Sequence, residues 1–121
     1  TGRSDFPNQV NNSLGFPGIF RGALDVQAKT ITDEMCVAAA EALAGYAVKT
    51  GKMGEDYLLP HMDEPEVYID EAVAVGLKAL EQGVARRKVT EKELRASAEF
   101  LIKRAIKDVE VRQASGIVKL P

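Results

Sequence analysis

A mainly α fold of about four helices is predicted by three features of this 121-residue sequence. Apolar residues recur three and four apart over several long segments, the period of one helix face. Two segments open on capping residues: Thr32 before Asp33-Glu34, and Thr90 in Thr90-Glu91-Lys92-Glu93. Glycines stand where the stripes run out, at Gly51, Gly83 and Gly116.

Taken in order, the first helix is expected over Pro17–Val26, because Pro17 suits a first turn where its missing donor would be unpaired anyway. Phe20, Ala23 and Leu24 would share one side of it, and Arg21 and Asp25 would form a surface ion pair one turn apart. The second helix is expected over Asp33–Val48, with Met35, Cys36, Ala39, Leu43, Tyr46 and Ala47 as its stripe. Its alanines imply close packing on a neighbour. Cys36 then reads as a small buried thiol rather than a nucleophile.

Tyr57–Met62 is expected to be extended and packed. A helix nucleated near Pro65 and regular over Ile69–Gln82 follows, in which Gly76 marks a tight crossing. The capping box at Thr90 opens the last helix, whose inner face would be Leu94, Ala98, Leu101, Ile102, Ala105 and Val109. The opposite face, with Lys92, Arg95, Glu99 and Lys103, is a solvated surface. The tail Ile117–Leu120 would dock on a neighbour.

Composition narrows the classes. An apolar fraction of 45% and a charged fraction of 28% describe an ordinary globular domain. A net charge of −2 argues against a general nucleic-acid binder. Arg86-Arg87-Lys88, the one basic run, reads as a complement to a helix dipole. A single cysteine makes no internal disulfide, which fits a reducing, cytoplasmic setting, and no apolar run is long enough to span a membrane. His61 lies beside Asp63 and Glu64, but the set lacks the spacing of a zinc site, so a hydrogen-bonded or exposed imidazole is expected and no metal ligand is assigned.

The first 25 residues differ from this helical scaffold. Gly2, Gly15, Gly18, Gly22, Pro7 and Pro17 shape the backbone tightly. Between them lie Asn8, Gln9, Asn11 and Asn12, carboxamides that both donate and accept. Such residues are also the commonest in plain turns. Their order decides the reading: Gly2-Arg-Ser-Asp-Phe-Pro-Asn-Gln-Val-Asn-Asn12, then Phe16-Pro-Gly-Ile-Phe-Arg-Gly-Ala-Leu-Asp25. This order closely resembles a segment of the malic enzymes, in their shorter bacterial and archaeal forms. The likeness is strong from Thr1 to about Ala47, weaker beyond, and most specific at Asn11-Asn12 and Phe16-Pro17-Gly18.

The resemblance implies the C-terminal portion of a Rossmann-like α/β NAD(P)-binding domain. Residues 1–16 would be a substrate- and cofactor-facing loop after a sheet strand ending near Thr1–Arg3, and residues 17–121 a helical portion. The parent enzyme would convert malate to pyruvate and carbon dioxide with NAD or NADP and Mg2+ or Mn2+, as a homodimer or larger assembly. Asn11 would bind malate; Asn12 would bind substrate or the nicotinamide carboxamide. The family's catalytic tyrosine and lysine, its metal-binding acids and its glycine-rich fingerprint would all precede Thr1. No catalytic or metal residue is therefore expected here, and the chain alone should be inactive. The competing readings are a stand-alone helical oligomerisation module and a related decarboxylase without net redox.

Overall fold

The computed structural model describes residue 8 and residues 10–119. A 3-10 turn, Asn12–Leu14, leads into helix α1 (Phe16–Asp25), followed by α2 (Asp33–Lys49), α3 (Pro65–Glu81) and α4 (Glu91–Ala114). There is no strand among the described residues; the strand tail expected at Thr1–Arg3 lies outside them. The mainly α expectation holds, with each predicted helix within a few residues of its place. Thr32 accepts from the Met35 N–H at the start of α2, and Thr90 and Glu93 form the reciprocal capping box of α4. Gly51 and Gly83 follow α2 and α3 at φ 67° and 69°.

Helix α3 is the centre and packs against the other three. Its stripe of Val67, Ile69, Ala72, Val73, Val75 and Ala79 is buried, and with Val26, Met35, Ala39 and Leu94 it makes the core. Crossings are close because small residues stand at them. A Cβ on Gly22 of α1 would lie 2.8 Å from Val75 Cβ and overlap the Ala72 carbonyl. One on Gly76 would lie 2.9 Å from both δ-carbons of Leu94, the tight crossing predicted there.

Phe20, Ala23 and Leu24 do share one side of α1, all three lining one groove, but the face that meets α3 is set by glycines. Gly18, Gly22, Ala23 and Asp25 face inward, whereas Phe20 and Leu24 are 53% and 63% exposed. The cause is steric, since only a glycine face admits α3 this closely. As a result Arg21–Asp25 is not a surface pair. Asp25 is buried, takes Arg21 Nη2 at 2.6 Å and accepts from the Ser97 hydroxyl of α4 at 3.0 Å. The basic run helps to close the far end of α1. The Arg86 and Arg87 N–H groups donate to the Val26 carbonyl, and the Arg87 guanidinium donates to the Asp25 carbonyl at 3.1 Å.

The second half of α4 also departs from expectation. Leu94 and Ala98 are buried, but Ala105 and Val109 are exposed. At ~1.5 Å per residue the 24-residue α4 outruns its 17-residue partner α3, so its last turns meet no neighbour among the described residues. Ile117 and Val118 of the tail are exposed as well.

Candidate functional site

Asn11 and Asn12 stand where the chain turns into α1. Asn11 is extended and caps the 3-10 turn, its Oδ1 accepting from the Ser13 N–H at 3.1 Å. Leu14 then plugs into the core at 4% exposure and anchors the turn. The turn leaves the Asn11 amide nitrogen with its two donors, while Asn12 is exposed with no side-chain partner among the described residues. Asn8, by contrast, is structural: its carboxamide takes the Leu58 N–H at 2.7 Å and donates to the Glu55 carbonyl, tying the approach to the turn onto the 54–58 loop.

Beside the turn lies a cavity of about 430 Å³, a size suited to a small molecule. Leu14, Ile19, Ala39 and Leu43 give it apolar walls, and Asn11 and Asn12 are its amides. Cys36 is on its lining and exposed, not buried as the stripe suggested. The inward face of α2 runs through Met35, Ala38, Ala39 and Ala47, which turns the neighbouring Cys36 away from α3.

The residue that sequence reasoning missed is Glu71. It is fully buried, lies on the cavity lining, and neither carboxyl oxygen has a hydrogen-bond partner among the described residues. Burial pushes its carboxyl up to about 8, so it is mostly neutral at pH 7. A signal was present in the sequence: Glu71 falls in phase with Val67 and Val75 on the buried stripe of α3, a position where an ionised side chain is costly. Gly18 makes room for it, because a Cβ there would overlap the Glu71 side chain.

The loop around His61 has a different role. His61 is exposed, with its ring edge to Tyr57 at a centroid distance of 5.3 Å. Glu64 accepts from the Tyr57 hydroxyl at 2.7 Å, the His61 N–H at 2.9 Å and Lys52 Nζ at 3.2 Å. Burial alone would raise the Glu64 carboxyl, but the His61, Tyr57 and Lys52 bonds outweigh it and hold the group down to about 2. With the folded value below the ordinary one, this stabilisation is present above pH 4.5 and is lost as the pH falls toward 2. After solvent screening it is worth on the order of 1 kcal/mol. Tm followed from pH 6 to pH 2 is expected to fall less steeply in Glu64→Gln than in the wild type.

Carboxamides at the mouth of an apolar cavity with a buried acid at its edge have the build of a small-molecule site. Comparison places the chain in a family. The family described as malic enzyme, NAD binding domain matches residues 1–82, and the chain belongs to it. It is 52% identical over 94 residues to the bifunctional malic/malolactic enzyme of Bacillus subtilis, covering 78% of this chain and 23% of the relative. An NADP-dependent and an NAD-dependent malic enzyme of Rhizobium meliloti each match at 47% identity over 102 residues, 74% of this chain and 13% of theirs.

A crystal structure of Entamoeba histolytica malic enzyme superposes with a TM-score of 0.93 at 47% identity, over 100% of this chain and 25% of that one. The malic enzyme from Pyrococcus horikoshii superposes with a TM-score of 0.78 at 50% identity, covering 85% and 23%. The chain thus spans between about an eighth and a quarter of the length of these relatives. Relatives of either cofactor type match equally well, so overall identity in this segment does not track the choice between NAD and NADP.

Proposed function

We propose that this chain forms the substrate- and nicotinamide-facing end of an NAD(P)-dependent malic enzyme, which oxidises (S)-malate and releases carbon dioxide and pyruvate. Residues 1–16 are the ligand-facing loop and 17–121 a helical portion of the NAD(P)-binding domain. The whole enzyme works in the cytoplasm as a homodimer or larger assembly. The observation that carries this is the Asn11–Asn12 turn, fixed at the mouth of a small cavity in a chain of this family.

The residues present suit part of that chemistry. Two carboxamides donate to a carboxylate or hydroxyl without adding a titrating charge. We assign Asn11, whose amide nitrogen has no partner among the described residues, to malate, and Asn12, with both ends free among those residues, to substrate or the nicotinamide carboxamide. The ligands for Mg2+ or Mn2+ would lie elsewhere in the enzyme, as the family resemblance implies. When bound, the nicotinamide supplies hydride acceptance and the cation polarises the ketone.

The contribution of this chain is orientation. It holds the dicarboxylate by its amides and covers the apolar side of the site with Leu14, Ile19 and Leu43. The test is a turnover assay on the full-length protein with malate, Mn2+ and either nicotinamide cofactor. Equimolar reduced cofactor and carbon dioxide are expected. Carbon dioxide without cofactor reduction would overturn the redox reading, and no reaction with malate would overturn the substrate.

A further inference from the structure

The proposed reaction leaves Glu71 without a task. A buried carboxyl whose two oxygens have no partner among the described residues is costly to keep, and an apolar residue would fill the stripe at less cost. Its position is specific. Oε1 lies 3.6 Å from where a Gly15 Cβ would be, and the side chain occupies the space that a Gly18 Cβ would need. Glu71 therefore sits directly beneath the residues through which the Asn11–Asn12 turn becomes α1, and it borders the same cavity.

Resting on the reading of that cavity as the substrate site, we infer that Glu71 is a positioning residue. Its neutral carboxyl seats the first turn of α1, and loss of its proton unseats Gly15 and the two amides, weakening the hold on a carboxylate ligand.

The groups around it offer no substitute for the proton. On α1, Arg21 and Asp25 are paired with each other. On α3, Asp70 is engaged by Arg95 of α4 at 2.8 Å and by Lys49 of α2 at 3.6 Å. Tyr68 of α3 is itself raised, by burial first and then by the charges of Glu71 and Asp63. Cys36 is the titratable group that α2 contributes to the cavity. Burial causes the Glu71 shift to about 8, and no cation among the described residues offsets it.

The experiment uses the full-length enzyme, wild type and Glu71→Gln, without ligand. Hydrogen exchange of the peptide spanning residues 10–19 is followed by mass spectrometry at pH 7 and pH 9, corrected for intrinsic rates. In the wild type, protection is expected to fall roughly tenfold between these pH values, as the carboxyl goes from mostly neutral to mostly ionised. Glu71→Gln, which has no proton to lose, should keep its protection. The KM for malate should correspondingly rise above about pH 8 in the wild type and stay flat in the variant.

Equal wild-type protection at both pH values would overturn the inference, as would the same loss in Glu71→Gln. Should the glutamine variant fail to fold, Glu71→Met tests the same expectation, being of similar volume and unable to ionise. The exchange readout needs no malate, so failure of the substrate assignment would appear in turnover and leave this result standing.

Discussion

Replacing Asn11 with alanine in the full-length enzyme is expected to lower kcat/KM for malate by roughly 10- to 100-fold, the cost of one hydrogen bond to a charged group. KM should rise and kcat should fall, because a donor that fixes a carboxylate also fixes the carbon that loses hydride. Alanine removes two things together, the donors toward the ligand and the oxygen that caps the Ser13 N–H. Asn11→Ser separates them. Serine is an equally good cap but lacks the reach of an amide nitrogen. If serine is as impaired as alanine, the loss belongs to ligand binding; if serine works like the wild type, Asn11 shapes the turn and nothing more.

The largest structural effect is expected at Gly22. A single added methyl there would overlap the Ala72 carbonyl and stand 2.8 Å from Val75 Cβ and 3.0 Å from the Gly76 nitrogen. All three belong to the central helix, and two of them are backbone, which cannot swing aside. Gly22→Ala should therefore force α1 away from α3 and cost about 3 kcal/mol or more, in the upper range of overpacking penalties. Gly45 is the internal control. It is exposed inside α2 with nothing within 4 Å of an added Cβ, so Gly45→Ala should gain about 0.5–1 kcal/mol from helix propensity alone. Tm of the two variants, measured in the full-length protein, should move in opposite directions. A stable Gly22→Ala would show that the crossing is looser than described.

The helices were legible because their signals are local. Thr32 and the Thr90–Glu93 box act on backbone groups two or three residues away, and Gly51 and Gly83 need only their own φ. The Gly76 crossing was also readable, since a lone glycine in a long apolar helix calls for a packing reason. What failed was the facing of elements, because that depends on partners. Phe20, Ala23 and Leu24 share one side as their period has it, but the period does not say that the glycines of α1 are what admits α3. Asp25, expected in a surface pair, is instead buried in the junction with Ser97. Ala105 and Val109 hold the right period on a helix that extends past its neighbour.

The site divides in the same way. Asn11 and Asn12 stood out by order and by resemblance. Glu71 did not, because only the cavity and the crossing of α1 over α3 give a buried acid its meaning, although its place in the stripe was visible. Asn8 shows the reverse case: an amide in the same cluster whose bonds all serve the loop it touches.

The central claim is that the Asn11–Asn12 turn grips a small dicarboxylate beside a pyridine nucleotide. The most direct measurement is a crystal structure of the full-length protein with malate and a reduced nicotinamide cofactor bound. The Asn11 amide nitrogen is expected within hydrogen-bonding distance of a malate oxygen, and Asn12 on malate or on the nicotinamide carboxamide. Both side chains turned away from the bound molecules would contradict it.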